Sequence, residues 1–169
     1  MANMHKEFDQ NLKFVAMSMN TTIEWSTKHF SELNVDELYA ILRLRSEVFV
    51  VEQNCVYQDI DNKDQKALHL FGIVDGEIVA HSRLFKPGDY FEFSSIGRVV
   101  VAEKHRDKNF GHALIDQSIL EIKNRFRVEN ITISAQLYLK KFYESHGFKA
   151  TSAMYLEDDI PHIEMKITK

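Results

Sequence analysis

The sequence lacks the features that mark secreted, membrane-spanning and nucleic-acid-binding proteins. Cys55 is its one cysteine, which excludes an internal disulfide and fits a reducing compartment. No apolar run approaches the roughly 20 residues of a membrane-spanning helix, and the N-terminal stretch does not resemble a secretory signal. We therefore expect a cytoplasmic protein with no membrane partner. A formal net charge of -4 favours partners other than nucleic acid.

Motifs for several cofactors are absent as well. The chain contains neither the P-loop pattern G-x-x-x-x-G-K-[ST] nor the dinucleotide fingerprint G-x-G-x-x-G, and no cluster has zinc-ligand spacing. Asp59, Asp61 and Asp64 suggest a calcium loop, but Asp64 and Leu70 stand where an EF-hand needs Gly and Glu. We predict no metal, and we interpret residues 57–67 as a solvated acidic loop or a pocket wall.

What remains is the composition of one globular domain. Of the 169 residues, 44% are apolar and 27% are charged, which is an ordinary balance, and the length allows one self-sufficient core. Residues 1–20 are polar and unpatterned, so we predict a flexible N-terminal extension there. The remaining residues, 21–169, show no internal repeat or low-complexity linker and are predicted to form one domain.

Hydrophobic periodicity predicts a mixed α/β order of elements in this domain. Asn34 or Asp36 can cap the first helix, and Asp75-Gly76 is a strong two-residue hairpin signal because that turn needs positive φ. Gly97 suggests a bulge. Strands are predicted at 22–26, 68–74, 78–85, 91–101, 131–135, 148–155 and 163–167, and helices at 34–51, from 109 to about 127, and at 137–146.

The segment from Val99 to Ala113 carries the strongest chemical signal. A strand ends there in a basic turn that opens directly into a helix. The first N–H groups of a helix have no internal partners and the helix dipole adds positive potential, so such a turn binds phosphate. Arg106 and Lys108 add charge, and Gly111 allows close approach because it has no Cβ. A surface turn that happens to carry basic residues is the competing interpretation.

Two motifs favour the phosphate-binding interpretation. Arg106-x-x-Asn109-x-Gly111 resembles the R/Q-x-x-G-x-G/A signature with which GNAT acetyltransferases hold the pyrophosphate of coenzyme A. Asn109 replaces the usual glycine, and asparagine tolerates left-handed backbone geometry better than most residues, so we expect the loop shape to survive. Ala135-Gln136 followed by Phe142-Tyr143-x-x-x-Gly147-Phe148 is similar to the second motif of this family, which lines the pantetheine channel.

The resemblance extends over residues 22–167 and is most specific for the ElaA-type subgroup. Four segments carry it, at residues 49–53, 57–61, 96–99 and 160–162. It implies a GNAT fold, which is a mixed, mostly antiparallel twisted sheet flanked by helices and splayed between two central parallel strands where acetyl-CoA enters. It also implies an enzyme that transfers acetyl from acetyl-CoA directly to a primary amine of a small-molecule, peptide or protein acceptor.

The same resemblance implies roles for individual residues. Tyr143 stands where the family often places the acid that protonates the CoA thiolate, although it could be a packing residue. Base candidates are Glu52 and His69, followed by Glu92 and His162, and a water chain could replace any of them. Arg45, Arg98 and His162 could bind the acceptor, with paired structural arginines as the alternative. The cofactor-binding residues implied are Val99, Val100, Val101, Arg106, Asp107, Lys108, Asn109, Phe110, Gly111, His112, Ala113, Gln136 and Phe142.

Three alternatives stay open at this point. The fold could serve a non-catalytic, CoA-binding regulatory module, because fold alone does not establish function. The basic turn could instead belong to a nucleotide-binding or phosphate-binding protein unrelated to CoA. The third alternative is a protein-interaction role, with homodimerisation through the extension or a sheet edge.

Overall fold

Eight strands form one sheet in the computed structural model, which describes residues 22–169. They are β1 (Glu24–His29), β2 (Leu68–Val74), β3 (Glu77–Phe85), β4 (Ser94–Val101), β5 (Ile131–Gln136), β6 (Lys149–Ala150), β7 (Tyr155–Glu157) and β8 (Ile160–Ile167). Their order across the sheet is β1-β2-β3-β4-β5-β8-β6, with β7 also paired to β8. Only β4 and β5 run parallel among these strands. The extension predicted at residues 1–20 lies outside the described residues.

Three α-helices accompany the sheet: α1 (Val35–Arg45), α2 (Phe110–Phe126) and α3 (Lys140–Glu144). A π-helical segment, Ser46–Glu52, continues α1. Short 3-10 turns lie at Phe30–Glu32, Asp64–Lys66, Glu103–Lys108 and Leu137–Leu139. Within residues 22–169, no helix has both the length and the apolar character needed to cross a bilayer.

The first helix begins and continues as its sequence predicts. The Asn34 side chain accepts a hydrogen bond from the Glu37 amide at 2.8 Å, and the Glu37 carboxylate accepts one from the Asn34 amide at 3.0 Å. This reciprocal capping box satisfies two orphan amides of α1. Beyond Arg45 the hydrogen bonds widen to five residues, as in the 3.2 Å bond from the Gln53 amide to the Val48 carbonyl. Such π segments are frequent at functional sites.

The two long helices cover opposite faces of the sheet. In β4, Val100 packs against Leu44 and Val48 on the α1 side, whereas its neighbour Val101 belongs to the larger cluster that contains α2. Successive side chains of a strand point to opposite faces, which explains this division. The predicted apolar face of α2 is confirmed, since its members pack in or against the larger cluster: Ile115, Ile119, Ile122 and Phe126.

The central parallel strands separate almost as soon as they pair. Ser94 lies opposite Ile131 and Ser95 opposite Thr132, and no further residues of β4 and β5 are paired. On its other side β4 stays paired with β3 from Ser95 to Val101, with a register shift between His81 and Arg83. The structure therefore has the splay between two central parallel strands that was expected.

Turn predictions are confirmed in the first half of the domain. Asp75 and Gly76 both have positive φ, 50° and 81°, and connect β2 to β3 as a two-residue hairpin. The irregularity expected at Gly97 is present, but the left-handed conformation falls on Arg98, with φ 49°.

Three predictions for the later part of the chain are wrong in extent. The helix predicted at 137–146 is a 3-10 turn followed by the five-residue α3, and the chain reverses at Gly147 with φ 89°. The strand predicted at 148–155 divides into β6 and β7. Between these two strands, Thr151 and Ser152 hydrogen-bond to Glu164. These bonds take the place of a continuous ladder of strand hydrogen bonds. The last strand begins at Ile160 instead of 163.

Candidate active site

The splay between β4 and β5 opens into a cavity of about 570 Å³. Its walls come from β4, β5, the π-helical segment, the turn before α2, the chain around α3, and the β7–β8 hairpin. The volume lies within the range of small-molecule and cofactor sites. Because the strands do not pair here, backbone groups of β4 that face the gap have no strand partner and are available to a ligand.

Asn109 shapes the turn at one end of the cavity. Its φ of 59° is left-handed, as expected for an asparagine in place of glycine, and α2 begins at the next residue. The first helical hydrogen bond runs from the Ala113 amide to the Asn109 carbonyl at 3.2 Å. The preceding amides, which include those of Gly111 and His112, have no partner within the helix and lie at the positive end of its dipole.

Only part of the predicted cofactor loop faces the cavity. Its lining residues are Arg106, Asn109, Gly111 and His112, together with Val99, Val100, Val101, Gln136 and Phe142 from the other predicted positions. Asp107, Lys108, Phe110 and Ala113 are not among them. Phe110 instead points into the core, where it is 6% exposed and stacks on His105.

Arg106 is held by two contacts at the mouth of the cavity. Its guanidinium makes a bidentate ion pair with the Glu52 carboxylate, and both N···O distances are 2.7 Å. Its Nε donates a hydrogen bond to the Val101 carbonyl at 3.0 Å. The hydrogen bonds from Arg106 lower the pKa of the Glu52 carboxyl. Glu52 is therefore a poorer proton acceptor than an unpaired glutamate.

Tyr143 is the buried phenol of the cavity. Its side chain is 6% exposed and packs edge-on against Phe142 and Phe148, at centroid distances of 5.1 and 5.9 Å. Burial raises the pKa of the phenol above its ordinary range, so the hydroxyl stays protonated at neutral pH. Within the described part of the chain, no protein group hydrogen-bonds this hydroxyl.

The opposite end of the cavity is formed by β8 and the hairpin that precedes it. His162 Nδ1 lies 2.8 Å from the Ile160 carbonyl. Since a carbonyl only accepts hydrogen bonds, Nδ1 carries the hydrogen and the neutral ring presents Nε2 as an acceptor. Arg98 also lines this end and donates to the Asp59 carboxylate at 2.7 Å.

Comparison with known proteins identifies the family to which this geometry belongs. Residues 27–169 match the Acetyltransferase (GNAT) domain. The chain belongs to the GNAT acetyltransferase family. The predicted fold and the predicted enzyme class, a GNAT-type acyltransferase, are both confirmed by this match.

Individual relatives place the chain more narrowly among GNAT proteins. It is 43% identical to Protein ElaA of Escherichia coli over 145 residues, which covers 85% of this chain and 95% of that protein. The crystal structure of E. coli ElaA superposes with a TM-score of 0.80 at 41% identity, covering 86% of this chain and 99% of that one. An acyl-CoA N-acyltransferase from Pseudomonas aeruginosa matches with a TM-score of 0.83 at 39% identity, covering 87% and 100%. The predicted ElaA-type resemblance is confirmed.

Two residues that the GNAT resemblance nominated lie away from the cavity. His69 is fully buried, with Nε2 donating to the Asp64 carbonyl at 3.0 Å and Nδ1 accepting from His81 Nε2 at 3.1 Å. Burial lowers the pKa of its imidazole. With both nitrogens engaged and no exposed surface, His69 has no access to an incoming amine. Glu92, the other carboxylate considered, is exposed and also lies outside the cavity lining.

Arg45 is likewise structural, as the alternative interpretation of the arginines holds. Its side chain is 0% exposed and is paired with the carboxylates of Asp59 and Asp64. Of the two interpretations of residues 57–67, the solvated acidic loop is wrong for Asp59 and Asp64, which are only 7% and 4% exposed. These aspartates are buried because arginines from α1 and the sheet neutralise them. The alternative of a pocket wall agrees with Tyr57, which lines the cavity.

The sequence interpretation missed a carboxylate on the hairpin wall. Glu157 lines the cavity and accepts a hydrogen bond from Ser134 of β5 at 2.7 Å. The hairpin turns through Asp158 and Asp159, which both have positive φ, 48° and 62°. A pair of aspartates between two strand patterns is a signal for such a turn, and it could have placed β7. No spacing rule links Ser134 to Glu157.

Proposed function

We propose that the protein transfers an acetyl group from acetyl-CoA directly to a primary amine of a small-molecule, peptide or protein acceptor. The observation that carries the proposal is the continuity of one cavity. It joins the phosphate-binding turn before α2, the buried phenol of Tyr143 and the histidine–carboxylate wall of the β7–β8 hairpin. The proposed donor, acid and acceptor sites therefore share one open cavity.

The donor end fits the phosphates and pantetheine arm of coenzyme A. Unpartnered amides at the start of α2 suit pyrophosphate oxygens, and Asn109 gives the turn its left-handed bend. Arg106 can turn from Glu52 towards a phosphate because both side chains are more than one-third exposed. The unpaired edge of β4 beside Val99 and Val101 can hydrogen-bond the amide groups of the arm and polarise the thioester carbonyl.

Tyr143 is the group we assign as general acid. As the amine nitrogen bonds to the thioester carbon and the C–S bond breaks, the departing thiolate needs a proton. A buried phenol that remains protonated at neutral pH and has no protein partner can supply that proton or a hydrogen bond. Phe142 and Phe148 hold the ring in place by edge contacts.

His162 is the base that the geometry favours among the predicted candidates. Its hydrogen bond to the Ile160 carbonyl leaves Nε2 as the acceptor on a cavity-lining side chain. Nε2 can take the proton that the ammonium must lose before it attacks. Glu52 is occupied by Arg106, and His69 does not reach the cavity.

The charge of the acceptor end favours a cationic amine. Glu157 and Asp158 line the cavity there, and neither has a cationic partner within residues 22–169. The carboxylates give this wall a negative potential, which attracts an ammonium group before it is deprotonated. Arg98 does not reverse this potential, because its own charge is paired with Asp59.

A coupled binding and turnover experiment tests the proposal. Calorimetric titration with acetyl-CoA, CoA and ATP comes first, followed by release of free CoA thiol in the presence of a panel of primary amines. We expect saturable binding of acetyl-CoA and CoA but not of ATP, and amine-dependent thiol release. Tyr143→Phe should bind CoA as the wild type does while kcat falls by about 100-fold or more.

Each outcome has a defined meaning. Absence of CoA binding, or tighter binding of ATP, would overturn the donor assignment. Binding without amine-dependent turnover for any amine would favour the non-catalytic, CoA-binding module. An unchanged kcat in Tyr143→Phe would remove Tyr143 from the mechanism and leave the donor assignment intact.

A further inference from the structure

Two histidines and an aspartate, contributed by α2 and the chain after α3, form a hydrogen-bonded chain beside the cavity. His112 lies in the first turn of α2, Asp116 lies one turn later on the same helix, and His146 follows α3. His146 Nδ1 is 2.7 Å from Asp116 Oδ1, and His146 Nε2 is 2.9 Å from His112 Nδ1. His112 lines the cavity next to the turn assigned to phosphate binding.

Phe142 packs against both imidazole rings of this chain. Phe142 contacts both imidazoles, with centroid distances of 4.7 Å to His112 and 5.2 Å to His146. The His146 side chain is only 6% exposed, whereas Asp116 is 71% exposed. The middle member is therefore buried between a cavity-lining ring and a solvated carboxylate, so its hydrogen bonds have little freedom to rearrange.

The hydrogen bonds determine what His112 presents to a ligand. A carboxylate only accepts, so His146 Nδ1 carries a hydrogen and, in the uncharged chain, its Nε2 accepts from His112 Nδ1. His112 Nε2 is then a lone pair. One added proton reverses this: whether the charge rests on His112 or on His146, the Nε2 of His112 carries a hydrogen. Asp116 stabilises either cationic form.

Phosphate oxygens only accept hydrogen bonds, so His112 Nε2 can donate to a phosphate only in the protonated form of this chain. The other charged groups around this mouth of the cavity are Arg106, from the 3-10 turn, and Glu52, from the π-helical segment, which are paired with each other. Lys108 of the same turn hydrogen-bonds to His105. Arg106 and Glu52, which are engaged with each other, do not supply the hydrogen that Nε2 of an uncharged His112 lacks.

We propose that the Asp116–His146–His112 chain couples the binding of the cofactor's phosphates to the uptake of one proton, with His112 Nε2 as the donor to phosphate. His146 and Asp116 act as positioning residues through His112. The proposal rests on the proposed function, because it requires the cavity to bind coenzyme A.

Calorimetry in buffers of different ionisation enthalpy tests the proposal, since it counts the protons taken up on binding. Near neutral pH we expect the wild type to take up as much as one proton per CoA, and its Kd for CoA to increase as the pH rises. His112→Asn should abolish both effects and weaken CoA binding by about tenfold. Asp116→Asn should reduce the uptake. Asp36→Asn, which removes the same charge from an exposed site on α1, should not.

Pantetheine serves as a probe that carries the arm of CoA without its phosphates, and it should bind without proton uptake. CoA binding with no proton uptake in the wild type, or with equal uptake in His112→Asn, would overturn the proposal and leave the proposed function standing. Failure of both CoA and pantetheine to bind would instead overturn the proposed function.

Discussion

The molecule contains two sets of arginine–carboxylate pairs that are alike in chemistry and differ in burial. Arg45 and Arg83 hold Asp59, Asp61 and Asp64 beneath the surface between α1 and the sheet. Arg106 and Glu52 make an equally short pair at the mouth of the cavity, where their side chains are 41% and 37% exposed. The buried arginines cannot change partner without leaving a charge unpaired, whereas Arg106 can exchange Glu52 for a phosphate at small cost. We therefore expect exposure to separate the structural pairs from the pair that we assign to phosphate binding.

The largest effect is expected when the buried set is broken. Arg45→Ala removes the fully buried cation that Asp59 and Asp64 share, which leaves Asp59 only Arg98 and Asp64 only Arg83. The free energy of unfolding should therefore fall by about 3–5 kcal/mol. Urea unfolding measures this change. The control is Arg43→Ala on the same helix, which removes an exposed pair with Glu47 and should cost less than about 0.5 kcal/mol. Equal losses in the two variants would contradict the distinction between the sets.

Changes at the exposed pair should alter binding more than stability. Arg106→Ala is expected to weaken CoA binding by about tenfold, because a charge-assisted contact is lost. The free energy of unfolding should change by less than about 1 kcal/mol. Glu52→Gln should act in the opposite direction on binding, by releasing Arg106. Arg125→Ala, which removes a partly exposed pair with Glu121 outside the cavity lining, is the control for both calorimetry and unfolding. Equal CoA affinities in all three variants would show that the Glu52–Arg106 pair is only structural.

Acid should destabilise the fold as it protonates the carboxylates of the buried set. Burial alone would raise the pKa of Asp61, but the hydrogen bonds and charge of Arg83 outweigh it and hold that pKa well below its usual range. A carboxyl whose folded pKa is depressed contributes stability above its unfolded pKa, about 3.9, and loses it as the pH falls towards the folded value. Urea midpoints should therefore decrease below about pH 4 in the wild type. The decrease should be shallower in Asp61→Asn, and parallel curves would contradict this assignment.

The smallest effect is expected at Gly111. A Cβ built there would lie 3.8 Å from the Phe142 ring, which is ordinary contact, and its backbone is not left-handed. Gly111→Ala should leave the Kd for CoA within about twofold and stabilise α2 by up to about 1 kcal/mol. Gly76→Ala is the contrasting variant, since its φ of 81° penalises any side chain despite open space around it. Loss of CoA binding in Gly111→Ala would mean that the ligand approaches more closely than the cavity suggests.

Local signals in the sequence predicted much of the fold. Asp75-Gly76 predicted its hairpin, Asn34 its helix cap and Asn109 its left-handed turn, because each depends on the backbone preferences of one or two residues. The family resemblance added the splay, which no local pattern encodes. The strand boundaries predicted after Phe148 were wrong because Thr151 and Ser152 hydrogen-bond to Glu164. Strand propensity takes no account of side chains that compete with the strand ladder for hydrogen bonds.

The candidate site was less predictable because its partners are distant in sequence. Arg106 and Glu52 are 54 residues apart, and His112 and His146 are 34 apart. Sequence-spacing rules do not predict contacts between residues so far apart in the chain. For the same reason the aspartates of the 57–67 loop were expected to be solvated or to form a pocket wall, and His69, which is buried, was considered as a base. The roles of Tyr143 and His162, a cytoplasmic location and a homodimer stay predictions.

The short pairing of β4 with β5 also bears on how the amides of the domain exchange with solvent deuterium. Two residue pairs join β4 to β5, and beyond these pairs the edge of β4 faces the cavity instead of another strand. A ligand that lies along this edge takes the place of the missing strand. The bound ligand should therefore slow amide exchange along this edge of β4 far more than at the β2–β3 hairpin. In this sense the ligand completes the sheet.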